Sequence, residues 1–295
     1  MEGNKEGILI YGDPGIGKTT LIGDMALWVW KHEKKKTRLY RTSGGGAGPL
    51  KPLIKLGIIE DINLTSYPFA YEGSELAAMG YWWDGTSFIP PSEQEDWDEV
   101  GLVAYDGIAE MADWLMAYTT KQEAEGKMKT GGRVSALWRD GGRKYAAPQQ
   151  SHYGAIQNHI YKCVAKSREI PERYILWTSL ASTGQNSETK QAVLGPDIIG
   201  SACTADAPAW FSQVLHLDYD QKGERQLHTT QHLGPLNIPY LAKHTIPFDH
   251  AGRWGLPLVL KGDELKLSVF MDLLIAAQEA AEQTIIDEYN LKENN

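Results

Sequence analysis

The chain has 295 residues, room for one large α/β domain or a domain with an appendage, and its 42% hydrophobic and 23% charged residues make an ordinary globular balance. A formal net charge of -9 excludes nucleic-acid binding through the overall field, so any such contact needs a local basic patch. No apolar run approaches the roughly 20 residues of a membrane span. The N-terminus runs straight into a strand with no signal peptide, and Cys163 and Cys203 alone make no disulfide framework, so a soluble protein of a reducing cytoplasm is expected.

In chain order, Gly7–Tyr11 is a short apolar run of buried-strand type, followed by a glycine loop and a helix from Thr19 to about His32. Arg38–Thr42 reads as a second strand, Pro49–Leu56 as a short helix, and Ile58–Leu64 as a return to the sheet. Residues 80–98 have no clear period and read as an insertion. Leu102–Asp106 is a buried strand ending in an acid, and Ile108–Thr119 a helix. Residues 121–150, polar and Gly-rich, read as a long mobile loop. A helix over Tyr153–Arg168 and a strand over Tyr174–Leu180 lead to a polar loop, Ala181–Lys190. Gln213–Tyr219 and Arg225–Gln231 flank a hairpin turn, Tyr240–Thr245 is a candidate third strand, and Asp263–Leu291 a long helix. This pattern predicts a mostly parallel sheet flanked by helices with an antiparallel extension. The expected division is a core over 1–255, with insertions near 80–98 and 121–150, and a helical tail over 256–295.

Gly12-Asp13-Pro14-Gly15-Ile16-Gly17-Lys18-Thr19 is a phosphate-loop sequence, with Thr20 continuing into the helix. Its glycines let the backbone N–H groups turn inward as a nest for phosphate oxygens, and the helix adds its positive end. Lys18 supplies a charge near the β- and γ-phosphates of ATP, and the Thr19 hydroxyl is a ligand for Mg2+. A second, water-mediated hold on Mg2+ calls for an acid at the end of a neighbouring strand. Asp106 fits this role, and Asp218 is the weaker rival.

These motifs, in order and spacing over about residues 7–247, resemble the RecA-core P-loop ATPases of bacteriophages that act in single-strand annealing and recombination. The resemblance is carried by Ile8–Leu21, Leu102–Ile108, Tyr153-Gly154 with Ile170-Pro171, Leu194–Gly200, Arg225–Thr229 and Ala242-Lys243. It implies a RecA-like fold, ATP hydrolysis, a homo-oligomer, and as partners single-stranded DNA and a single-strand-binding protein, in the host cytoplasm and away from membranes. It also implies that Lys243, matching the Lys of a Lys-x-Arg pair, completes the site of a neighbouring subunit. Three features depart from the family. Thr42-Ser43-Gly44-Gly45 lacks the acid that activates water, leaving Glu93, Glu99 or Glu110 as candidates. The strand Ile175–Ser179 ends in hydroxyls rather than His or Gln. Lys243-His244-Thr245 lacks the Arg.

Residues 121–144 hold Lys121, Lys127, Lys129, Arg133, Arg139, Arg143 and Lys144 against Glu123, Glu125 and Asp140, with Trp138 and Tyr145 nearby. This reads equally as a single-strand contact, salt-sensitive and stacking, or as a solvated insertion. Ser182–Ser187 lies where RecA-like proteins place a second DNA loop. Histidines 152, 159, 216, 228, 232, 244 and 250 show no metal-ligand spacing; His228-x3-His232 reads as structural, and no zinc site is expected. A nucleotide-binding structural or regulatory protein with little hydrolysis is the alternative reading, and a small-molecule kinase, for which no Arg-rich lid is evident, the third.

Overall fold

The computed structural model describes residues 6–42, 47–64, 70–127, 137–140, 143–186, 188–233, 238–245 and 256–293. Chain order begins with β1 (Gly7–Gly12), α1 (Lys18–Glu33), β2 (Lys36–Arg41), α2 (Lys51–Lys55), β3 (Ile59–Asn63) and α3 (Ala70–Ala78). Next come β4 (Trp82–Trp83), β5 (Phe88–Ile89), β6 (Val100–Asp106), α4 (Ile108–Ala124), β7 (Leu137–Asp140), β8 (Arg143–Ala146), α5 (Gln150–Arg168), β9 (Tyr174–Gln185) and β10 (Ala192–Pro196). The last third holds α6 (Ser201–Asp206), β11 (Gln213–Tyr219), β12 (Arg225–His228), β13 (His232–Leu233), β14 (Pro239–Tyr240), β15 (Val259–Lys261) and α7 (Leu267–Glu293).

Six strands pair in parallel in the order β3-β2-β6-β9-β1-β11, and β12 then β15 add antiparallel at the β11 edge. Because side chains alternate along a strand, each central strand feeds two cores. Ile8 and Ile10, Leu102 and Ala104, Leu176, and Leu215 and Leu217 face one layer, where α1 and α7 lie. Leu9 and Tyr11, Val103 and Tyr105, Ile175 and Trp177, and Val214 face the other, with α3, α4 and α5. Burial on both faces explains why these strands read as continuous apolar runs.

Several expectations need correction. The stretch 121–150 is not one loop: α4 continues to Ala124, β7 and β8 pair as a hairpin, and α5 begins at Gln150. The glycines between these elements obscured their helix and strand propensity. The polar stretch from Ala181 is also structured. β9 runs on to Gln185, and its second half pairs antiparallel with β10, so cross-strand pairing overrides a sequence rich in turn formers. Tyr240–Thr245 is not a continuous strand; β14 pairs with β10 and β13, and Lys243 makes only an isolated bridge to Val214. The insertion near 80–98 carries the small β4–β5 hairpin, held where buried Arg38 meets Glu60 at 3.0 Å and stacks on Trp82 at 4.6 Å.

Residues after 255 share the main core. β15 pairs with β12, and Leu267, Phe270, Met271, Leu274 and Ala277 of α7 are buried with Leu21, Ile22 and Met25 of α1. Trp28 Nε1 donates to Asp272 at 2.6 Å, and Asp24 accepts from the Ser268 amide at 2.7 Å. Among the described residues no helix is long and apolar enough to cross a membrane.

Candidate active site

The carboxyl end of β1 turns into a loop that only glycine permits at two points. A Cβ on Gly12 would sit 2.2 Å from the Leu217 carbonyl oxygen, and Gly17 has φ of +114° just before α1 begins. Asp13, Pro14 and Gly15 form the exposed crown of the loop, Ile16 is buried beneath it, and exposed Thr20 follows in the first turn of α1. Lys18 lies across the loop, its Nζ donating to the Gly12 and Asp13 carbonyls, both at 2.8 Å. Burial holds the Lys18 pKa below its ordinary value, opposed by the charges of Asp106, Glu110 and Asp13.

Asp106 ends β6, two strands from β1, with β9 between them. Its carboxylate accepts from Thr19 Oγ1 at 3.0 Å on one oxygen and from Thr178 Oγ1 at 2.6 Å on the other. Thr178 in turn accepts from the Gly107 amide at 3.0 Å, so the hydroxyl that replaces the polar side chain expected at this strand fixes the acid's orientation. Thr42, at the end of β2, places its hydroxyl against the Asp106 and Gly107 carbonyls and serves the backbone rather than water. The Thr19 hydroxyl and the Asp106 carboxylate are hard oxygen donors in contact, a pair that fits Mg2+. Asp218, the rival acid, faces histidines instead: His228 Nε2 lies 3.1 Å from its Oδ1.

The three candidate acids are also separated. Glu99 pairs with Lys36 at 2.8 Å where β6 begins, at the far end of that strand from Asp106. Glu93 lies in the short 3-10 turn of the insertion. Glu110, in the first turn of α4, folds over Gly107, its Oε2 2.8 Å from where a Cβ on that glycine would be, and its charge reaches Lys18. Glu110 is thus the acid that α4 brings to the loop.

Lys243 does not approach its own phosphate loop. Its backbone bonds to Val214 at 2.8 and 2.9 Å, level with Leu9 rather than Gly12, and its side chain has Arg168 as a like-charged neighbour. Burial and that neighbour lower its pKa. Arg225 is the basic residue whose role sequence reasoning missed. From the start of β12 its guanidinium reaches back to the loop, with Nη1 3.4 Å from the Ile16 carbonyl oxygen. The hairpin itself is readable in the sequence, but which of its side chains leans on the loop depends on the β11–β12 register. A cavity of about 550 Å³ lies elsewhere, between the insertion and the end of α5, lined by Met79, Trp97, Lys166 and Ile170.

Of the basic residues over 121–144, Lys127 pairs with Glu125 at 2.9 Å, while Lys129 and Arg133 lie outside the described residues. In Ser182–Ser187, Ser182 to Gln185 belong to β9, Asn186 caps the following turn by accepting from the Glu188 and Thr189 amides, and Ser187 lies outside the described residues.

A phosphate loop on one strand, an acid on another and a single parallel strand between them make this a P-loop α/β fold, a mostly parallel sheet flanked by helices. Among solved structures, the chain is similar to a KaiC-like protein from the hyperthermophilic archaeon Pyrococcus horikoshii OT3, at 10% identity and a TM-score of 0.42, covering 80% of this chain and 88% of that one. No protein-family model matches the chain, and no curated protein matches it. The fold assignment rests on strand order and loop geometry.

Proposed function

We propose that this protein binds ATP with Mg2+ at Gly12–Thr19 and hydrolyses it, and that it does so as a homo-oligomer on single-stranded DNA. The observation that carries the nucleotide reading is the contact of Thr19 and Asp106 at 3.0 Å beside the glycine loop. The DNA reading is supported by the basic stretch 121–144 and by the motifs that resemble the phage annealing and recombination ATPases.

The loop amides and the N-terminus of α1 would hold the phosphates, with Lys18 leaving the Gly12 and Asp13 carbonyls to meet the γ-phosphate. Thr19 and Asp106 would hold Mg2+, which when bound supplies charge neutralisation between the β- and γ-phosphates. Thr178 keeps one Asp106 oxygen occupied, so that the other is aimed at Thr19. Glu110, whose charge reaches Lys18, would accept the proton of an attacking water at its carboxylate. Thr178→Val removes the donor to Asp106 without changing side-chain volume much. It is expected to lower Mg2+-dependent turnover about tenfold while leaving metal-free nucleotide binding unchanged. Equal effects on both would mean that Thr178 acts only on the fold.

The test of the whole reading mixes purified protein with labelled ATP, with and without single-stranded DNA. Lys18→Ala is expected to weaken ATP binding about tenfold or more with the fold retained, and unchanged affinity would remove the core of the proposal. Hydrolysis stimulated by DNA supports the full reading. Binding without turnover points instead to a regulatory protein, and phosphate transfer to a metabolite to a kinase. Because Lys243 is remote from its own loop, any part it takes in the chemistry is played on a neighbouring copy. Lys243→Ala should then bind ATP but turn over slowly, and mixing it with Lys18→Ala should restore activity; no rescue in subunits shown to mix rejects the shared site.

A further inference from the structure

Away from Thr19 and Asp106, the fold gathers four side chains whose sequence spacing conceals them. His216 and Asp218 are two residues apart on β11 and so share a face. His228 on β12 stands directly opposite His216 in the ladder, and His232 opens β13. One ligand atom from each lies within 4.8 Å of all the others. Asp218 is surrounded: His228 Nε2 is 3.1 Å from Oδ1, while His232 Nε2 and His216 Nδ1 are 3.8 and 3.9 Å from Oδ2. His228 and His232 stack with ring centres 3.4 Å apart and planes 8° from parallel.

Hydrogen bonding does not account for this cluster. One carboxylate satisfies one ring at hydrogen-bond distance. The buried Nδ1 of His216 and both buried ring nitrogens of His232 have no hydrogen-bond partner among the described residues. Buried polar atoms of this kind ordinarily find partners, and three in one cluster call for a physical cause. Tyr11 and Tyr240 wall the cluster, each with its ring 4.7 Å from that of His216.

We propose that His216, Asp218, His228 and His232 form a structural zinc site. Three imidazoles and one carboxylate are a donor set that suits Zn2+ over Mg2+ or Ca2+, and four protein ligands close the tetrahedron. Bonds of about 2.0–2.2 Å bring tetrahedral ligand atoms to about 3.3 Å of one another, a contraction that small side-chain rotations supply. The ion ties β11, β12 and β13 together beside Tyr11 and Gly12. It thereby fixes the hairpin from which Arg225 reaches the phosphate loop. The inference does not depend on ATP hydrolysis.

The test uses untagged full-length protein, stripped with a chelator and titrated with Zn2+ against a chromophoric competitor, and separately with Co2+ read by visible absorption. One equivalent of Zn2+ per chain is expected, with the intense ligand-field bands of tetrahedral Co2+ and a higher melting temperature on zinc addition. His232→Ala, at the partly exposed rim of the cluster, and the double change His228→Asn with His232→Asn should each weaken Zn2+ binding, the double change by about 100-fold or more. His32→Asn, at the exposed C-terminal end of α1, should leave the affinity as it is. Circular dichroism of the stripped proteins shows whether each variant is folded before titration, and His232→Ala serves if the double variant is not. Absence of a saturable equivalent in the folded wild-type protein, or equal affinity in wild type and folded variants, overturns the site.

Discussion

Glu110→Gln is expected to lower ATP turnover by about a thousandfold while ATP affinity changes by less than about threefold. The substitution keeps the shape and length of the side chain and removes only its capacity to take a proton. The end of β2, where an acid would be expected, presents Thr42, whose hydroxyl is engaged with the Asp106 and Gly107 carbonyls. α4 starts immediately after Gly107, which has φ of +109°, and its first turn carries Glu110 back over that glycine. Glu99 is ruled out by its place beside Lys36, at the other end of β6. Single-turnover kinetics with wild-type and Glu110→Gln protein read the step directly. Turnover within about threefold of wild type would remove Glu110 as the base, and an equal loss of binding would make it a positioning residue for Lys18.

Phe270→Ala is expected to destabilise the protein by about 3–5 kcal/mol, the largest stability effect we anticipate from a single change. Phe270 is fully buried between α7 and α1, in one cluster with Ile22, Met25 and Leu274. Removing the ring strips dispersion contacts from all of its neighbours, and two packed helices cannot close the resulting void without breaking the polar pins Trp28–Asp272 and Asp24–Ser268. Urea unfolding measures the loss as a lower midpoint at unchanged slope. A shift under about 1 kcal/mol would show that α7 is only loosely applied to the core.

The parallel sheet and the phosphate loop were legible because local signals and tertiary roles agree there. β1 is apolar throughout because both its faces are buried, and the glycines that mark the loop are those its backbone requires. Asp106 could be picked out on similar grounds, since a carboxylate at the end of a buried apolar strand is costly to keep unless it serves a site. What was not legible depends on register. The second half of β9 is polar and β10 carries Gly195 and Pro196, and it is their pairing with each other that makes them strands. Arg225, Glu110 and the three histidines clustered around Asp218 are scattered along the chain. Their meeting is decided by a hairpin register, a helix start and a strand order that no short window of sequence contains.

The clasp of α7 on α1 has a consequence for how the chain is made. Trp28 and Asp272 are separated by 244 positions, as are Asp24 and Ser268. At ribosomal rates of about 5–20 residues per second, the apolar stripe of α1 waits about 12–50 seconds for its cover. Throughout that interval the sheet strands already made cover one side of α1, and the side that α7 packs against stays open to solvent or to a holdase. Contacts this distant in sequence also slow the search in vitro, since the loop must close before the packing rewards it. The nascent chain therefore carries a phosphate-loop helix long before it owns the second helix that clasps it.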